Sequence, residues 1–295
     1  MNIFLNSVFQ KKRLEFDKLT QEQNSKFTFP DDVSELVDIN YCDDGLKAHT
    51  MNVYRPASSQ RTLPVIINVH GGGLVMGNKE FNRIFCAELC KMGYVVFSIE
   101  YRLVPEVKVF NQFADVTAAM DFIEHSVMLF GGDPHHVYMV GDSAGAYLIT
   151  YTIAMQESPV LAATAKVKPS SLRIRALGLI SGMFYTNRRD EIGIFLPKSL
   201  YGRKYKKSPF SIFINPEHPA ITSSLPPCLL VTSHNDNLRQ YTLDFASALK
   251  RNGAKYELLD FPPDDRLVHA FSVFDPTLNE SQKVIHSLDD FFKNH

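Results

Sequence analysis

Residues 141–145 read Gly-Asp-Ser-Ala-Gly, and well upstream of them stands His70-Gly71-Gly72-Gly73. The pentapeptide fits G-x-S-x-G, a sharp strand-to-helix turn that lifts a serine hydroxyl above a sheet. The glycine run fits a loop whose backbone N–H groups face the same pocket. One motif offers a nucleophile and the other a place for negative charge to accumulate. The chemistry they suggest together is acyl transfer, most simply ester hydrolysis.

A free serine hydroxyl is a poor nucleophile and needs a base within hydrogen-bond reach. Ser143 has the right setting: the apolar run Val137–Val140 leads into it and a helical stretch follows. The glycines at 141 and 145 spare a crowded turn two Cβ clashes. The amides of Gly71 and Gly72, with that of Ala144, are the expected oxyanion donors, each worth about 3–4 kcal/mol in the transition state. His70, Gly73 and Asp142 are expected to support the two turns, His70 as a loop-orienting residue and not as the base. In the order Ser…Asp…His the base comes late. Among ten histidines, His269 in Leu267-Val268-His269-Ala270-Phe271 lies between the last expected strand and the last helix. His218, His234 and His286 lack that position or that loop setting. Asp236 directly follows the run Cys228–Thr232, where a carboxylate can fix the tautomer of His269 and stabilise its cation. Asp260, Asp264 and Asp265 are rivals by proximity, the last two beside an exposed-looking charged turn.

Elements must carry these residues to one place. Residues 1–25 interleave Phe4, Val8, Phe9, Leu14 and Leu19 with charge, which predicts an amphipathic helix. Residues 35–40 and 48–55 predict a hairpin through Asp43-Asp44-Gly45. Beyond it, strands are expected at 64–69, 94–99, 137–140, 174–182, 227–233 and 256–261, and helices at 80–92, 112–129, 143–156, 239–252 and 278–293. Short β-branched strands alternating with helices imply an α/β fold, a mostly parallel sheet covered on both faces. Residues 184–225, rich in Lys, Arg, Pro and aromatics, break that rhythm and are expected to lie over the pocket as part of a lid. The basic run Lys198–Lys207 reads as a solvated face in preference to a site for an anionic substrate.

Composition narrows the class. The 295 residues allow two small domains or one large α/β domain, and 45% hydrophobic with 21% charged residues fit a soluble globular protein with a substantial core. With 31 Lys+Arg against 32 Asp+Glu there is no basic footprint for nucleic acid or a membrane surface. The first residues lack the basic start and cleavage site of a signal peptide, and no stretch has the roughly 18–20 apolar residues of a membrane span. Cys42, Cys86, Cys90 and Cys228 are scattered and read as free thiols, so a reduced, cytoplasmic protein is expected.

The chain resembles the hormone-sensitive-lipase-like branch of the α/β-hydrolases, in particular its bacterial carboxylesterases. The resemblance rests on His70–Gly73, Tyr101-Arg102-Leu103-Val104-Pro105-Glu106, Gly131-Gly132-Asp133-Pro134, Gly141–Gly145, Asp236 with Leu238 and Arg239, and His269-Ala270-Phe271. It implies a single domain over 1–295 with an eight-stranded, mostly parallel sheet. It also implies a helical cap built from about 1–30 and 184–225. Tyr101–Glu106 would shape the core behind the pocket, with Arg102 and Glu106 structural. The sequence departs from the family pattern at Val104, at Val107–Phe110, at Ala146 and at Asn237, none of them a catalytic position.

The function expected on these grounds is a serine carboxylesterase for short to medium acyl esters, working through Ser143, His269 and Asp236 and an acyl-enzyme. No metal or organic cofactor is implied, and the expected partner is a small-molecule ester. The resemblance allows a homodimer through the last strand and helix. An acyl-peptide or amide hydrolase is the alternative within the same chemistry. A non-catalytic small-molecule-binding relative is the alternative outside it, and the presence of all three side chains weighs against that.

Overall fold

A computed structural model of the chain describes residues 3–59 and 61–295, with side chains of the first helix from Ser7 onward. Met1, Asn2 and the side chain of Phe4, which the expected cap helix includes, lie outside the described residues. Eight strands form one sheet: β1 (Val33–Asn40), β2 (Thr50–Pro56), β3 (Leu63–Val69), β4 (Val95–Ile99), β5 (Gly132–Asp142), β6 (Leu177–Ile180), β7 (Cys228–Ser233) and β8 (Tyr256–Phe261). Their spatial order is β1-β2-β4-β3-β5-β6-β7-β8. β2 pairs antiparallel with β1 and with β4, and every other pair is parallel.

The helices are α1 (Ile3–Lys26), α2 (Arg83–Lys91), α3 (Val109–Ser126), α4 (Ala144–Glu157), α5 (Pro159–Ala165), α6 (Glu191–Phe195), α7 (Pro197–Tyr201), α8 (Pro219–Thr222), α9 (Arg239–Arg251), α10 (Phe271–Phe274) and α11 (Asn279–Lys293). β3 shows why its run is apolar throughout. Val65, Ile67 and Val69 face one core with Met120 and Ile123 of α3 and Tyr147 of α4. Ile66 faces the other, with Phe85 of α2 and Leu288 of α11. A strand buried on both faces has no position for a solvated side chain. Asn68, fully buried in the same strand, is accommodated by donating to Ser98 Oγ at 3.1 Å.

Several elements differ from their sequence-based expectations. β5 begins at Gly132, five residues before the apolar run, because Asp133, His135 and His136 occupy its solvent-facing end. β6 is shorter than 174–182, and α5 was not foreseen; Ser158 caps it by accepting from the Leu161 N–H, with Pro159 in its first turn. The segment 184–225 folds into short helical pieces, α6, α7 and α8 among them. The face of α1 against the body is also not the expected stripe. Phe9, Thr20 and Gln23 are buried on it, whereas Leu14 is 65% and Leu19 36% exposed. Polar side chains on that face reach main-chain carbonyls of the body, so apolar spacing does not mark it.

Among the described residues no helix is long and apolar enough to cross a membrane. The four cysteines are unpaired, three of them buried. The last helix seals one face of the sheet: Phe292 stacks on Tyr138 with ring centroids 4.5 Å apart and planes within 14°. Phe292→Ala should lower the unfolding free energy by roughly 3–5 kcal/mol, measured by chemical denaturation.

Candidate active site

β5 ends at Asp142 and the chain turns at once into α4. Ser143 sits in the turn with φ 51° and ψ −112°, a strained conformation for a residue with a Cβ. The strain is held from both sides. The Ser143 N–H donates to the Ile180 carbonyl at 2.8 Å, and its carbonyl accepts from the Met183 N–H at 3.0 Å. A Cβ on Gly145 would lie 1.9 Å from the Val69 carbonyl oxygen, and one on Gly141 would lie 2.8 Å from the Gly145 carbonyl carbon. Both flanking glycines are therefore required by contact.

The glycine loop follows β3. Its tight turn is closed by the Gly72 carbonyl, which accepts from Val75 N–H at 3.2 Å and Met76 N–H at 3.1 Å. His70 is buried under it. The ring is bonded at Nδ1 to the Gly71 carbonyl (2.7 Å) and at Nε2 to Glu100 Oε1 (2.9 Å). Tyr101 stacks on that ring at 4.3 Å and donates its hydroxyl to the His70 carbonyl at 2.9 Å. Burial disfavours charge on His70, but the Glu100 carboxylate and the Gly71 carbonyl outweigh it and hold the pKa above the ordinary histidine value. With acceptors at both nitrogens, this ring is built to hold the loop.

One expected donor is corrected here. The Gly71 N–H is given to Asp142 Oδ1 at 3.1 Å and so is not available to an oxyanion. The amides of Gly72, Gly73 and Ala144 find no acceptor among the described residues. Asp142 is a buried carboxylate that also accepts from Asn82 Nδ2 at 2.9 Å. Burial raises its pKa in spite of the Asn82 and Gly71 hydrogen bonds.

Asp236 follows β7, and His269 precedes α10 in the loop after β8. The structure brings them together, His269 Nδ1 lying 2.8 Å from Asp236 Oδ1. Asp236 also accepts from the Leu238 N–H at 2.8 Å and from Thr232 Oγ1 at 3.1 Å. Burial works against its ionisation, yet hydrogen bonding and charge attraction from His269, with help from Ser181 and the Leu238 amide, bring its carboxyl below the ordinary range. Ser143 and His269 line the same cavity of about 690 Å³. In this conformation the Asp236–His269 hydrogen bond is formed and a Ser143–His269 one is not, as is common where such contacts tighten on substrate binding.

Four of the rival residues are occupied elsewhere. Asp260 pairs with Arg239 and Asp264 with Arg266, Asp265 accepts from Asn235, and His218 caps α8. Asp115, not a substrate group, engages Arg102, while Glu106 lies at the surface and pairs with Arg13 of α1. Sequence reasoning passed over Asn82, Thr232 and Ser181. Ser181 has φ 49° at the end of β6, and its hydroxyl accepts from the Ala270 N–H at 3.0 Å, fixing the residue beside His269. A Ser-Gly pair after a strand is the signal that could have found it.

The cavity wall is apolar. α1 supplies Val8, Phe9 and Phe16, and α6 and its C-terminal flank supply Ile192, Phe195 and Leu196. A larger groove, about 980 Å³, runs along another side of α1 and contains none of Ser143, Asp236 and His269.

A mostly parallel sheet with a serine turn at the carboxyl end of its central strand, and an acid and a histidine after later strands, is the architecture of an α/β-hydrolase. The chain belongs to the alpha/beta hydrolase fold family, whose sequence model matches residues 66–272. It is similar to an isoprenylcysteine alpha-carbonyl methylesterase of Arabidopsis thaliana, 26% identical over 71% of this chain and 51% of that protein. It is also similar to a carboxylesterase of Mycobacterium tuberculosis, 27% identical over 78% of this chain and 73% of that one. The chain spans about half the length of the plant relatives it matches. Among solved structures, esterase B from Lactobacillus Rhamnosis superposes with a TM-score of 0.90 at 23% identity, covering 98% of this chain and 94% of that chain.

The depressed ionisation of Asp236 has a signed consequence. A carboxyl whose folded pKa lies below the ordinary 3.8 stabilises the fold above that pH, and the contribution is lost as pH falls through the lower folded value. The stability advantage of the native chain over Asp236→Asn should therefore be present at neutral pH and shrink below about pH 4, as followed by denaturant titration across pH.

Proposed function

We propose that this chain is a serine carboxylesterase of the hormone-sensitive-lipase-like branch, acting on short to medium acyl esters. The observation that carries the reading is the 2.8 Å contact between Asp236 and His269, whose ring lines the cavity that also holds Ser143. Asp236 fixes the proton of His269 on Nδ1, which leaves Nε2 to take the Ser143 proton as Oγ attacks the ester carbonyl. The developing oxyanion is received by the amides of Gly72, Gly73 and Ala144, preset by the two turns so that nothing reorganises at the moment of reaction. His269 then returns the proton to the departing alcohol. Water attacks the acyl-enzyme by the same route and frees Ser143.

The cavity supports the substrate class. Its wall is apolar, with Lys12 and Glu191 as one charge of each sign on its lining beside the buried Asp142, so a neutral ester tail fits better than a charged one. Relatives named as a methylesterase and a carboxylesterase support ester chemistry. So does a neighbour of the same fold, an esterase B solved with a C4-C4 tributyrin phosphonate inhibitor.

The purified protein should release p-nitrophenol from acetate, butyrate and hexanoate esters, and a fluorophosphonate should attach at Ser143. Ser143→Ala should lower kcat by at least about a thousandfold; a near-normal rate would remove the nucleophile. His269→Gln should lower kcat on the same esters by at least about a hundredfold, and a near-normal rate in that variant would remove the base.

A further inference from the structure

α1 does more than wall the cavity. Arg13, Asp17, Thr20 and Asn24, spaced four, three and four residues apart, lie along one side of it. Their partners climb along the loop after β3. Arg13 Nε donates to the Val75 carbonyl at 2.7 Å, and Asn78 Nδ2 donates to Asp17 Oδ1 at 3.1 Å. Thr20 Oγ1 reaches Asn78 Oδ1 at 3.3 Å, and Asn24 Nδ2 donates to the Glu80 carbonyl at 3.0 Å. Phe16 packs on Phe81, ring centroids 4.8 Å apart. Helix and loop thus run side by side from Val75 to Phe81.

Arg13 makes the strongest of these connections. Besides Val75 it donates to the Val104 carbonyl at 2.8 Å, and it forks onto Glu106 at 2.9 and 2.7 Å. Its hydrogen bonds to Glu106, working against partial burial, hold that carboxyl below the ordinary range. Val75 belongs to the turn that carries Gly72 and Gly73, since its own N–H closes onto the Gly72 carbonyl. The inner flank of the turn is secured by the body, where Leu74 accepts from Val104 N–H at 3.0 Å and from Gln112 Nε2 at 2.9 Å. On the outer flank, the Val75 carbonyl is bonded to Arg13.

We infer that α1 is a splint for the loop bearing the oxyanion amides, with Arg13 as its principal positioning residue. The inference rests on the esterase reading above. A cap helix that were merely a wall would affect how well a long acyl tail binds. A splint also sets the rate of the chemical step for a substrate too short to touch the wall, because displacement of an amide by a fraction of an ångström weakens transition-state stabilisation.

The test is steady-state kinetics of Arg13→Met on p-nitrophenyl acetate and hexanoate, beside Arg13→Lys, Glu106→Gln and the outward-facing control Leu14→Gln. Arg13→Met should lower kcat on acetate roughly tenfold or more with KM moved less, and the Val75 and Met76 amides should exchange hydrogen faster. Arg13→Lys, which keeps the charge and loses the fork, should recover part of kcat, Glu106→Gln should fall between it and the native chain, and Leu14→Gln should match the native chain. If Arg13→Met fails to fold, the Arg13→Lys and Glu106→Gln rates decide. An unchanged kcat on acetate, with only the hexanoate KM or the melting temperature shifted, overturns the splint. If the native chain itself neither cleaves the esters nor takes the fluorophosphonate, it is the esterase reading that falls.

Discussion

Two turns at the carboxyl ends of β3 and β5 are packed against each other with no room for a methyl group. A Cβ at Gly145 would meet the Val69 and His70 carbonyls at 1.9 and 2.8 Å, and one at Gly71 would meet the Asp142 carboxylate at 2.2 Å. The contact is reciprocal, each motif supplying the glycine that the other needs. It sets the distance between the serine turn and the loop amides, and no adjustment elsewhere can substitute for it, because both contacts are to parts of the neighbouring turn. Main chain packed this closely on a neighbouring turn is stiff, and stiffness is what an electrostatic site requires.

The turns are held in place by buried charge. Glu100 is shared between the His70 ring and the Lys79 main-chain N–H, the latter at 3.0 Å. Lys79, whose side chain is fully buried, pairs with Asp38 and Glu80. Removing both of its carboxylate partners would leave the Lys79 ammonium buried and unpaired. Asp142 adds to this: its Oδ1 accepts from both the Gly71 N–H and Asn82 Nδ2, which takes one loop amide and leaves its neighbours open.

Most of the sheet was legible in the sequence because strands buried on both faces read as β-branched runs, as at Val65–Val69 and Val95–Ile99. The serine turn and the glycine loop were legible because both motifs encode backbone shape. The late acid and histidine were legible through chain order. Which loop amides stay free was not: all three glycines line the cavity, but the Gly71 N–H is claimed by the Asp142 carboxylate, and no periodicity carries that. The docking face of α1 was hidden for a related reason. Arg13, Thr20 and Gln23 are polar and would ordinarily be assigned to solvent, while the exposed Leu14 looked like core. The start of β5 was concealed by Asp133, His135 and His136, whose polarity reflects a strand end projecting beyond its covering helices.

The segment over the cavity is attached differently from the machinery below it. α6 is tied down through its first turn, where Asp190 caps the Gly193 amide and receives the Tyr241 hydroxyl, while Arg188 stacks over Tyr185 and pairs with Asp244. Ile192 and Phe195 hang from that clasp and take no part in fixing Ser143, Asp236 or His269. Such modularity makes the molecule evolvable. Side chains at 192 and 195 can be exchanged one at a time to reshape the cavity, while the contacts that hold Ser143, Asp236 and His269 stay undisturbed.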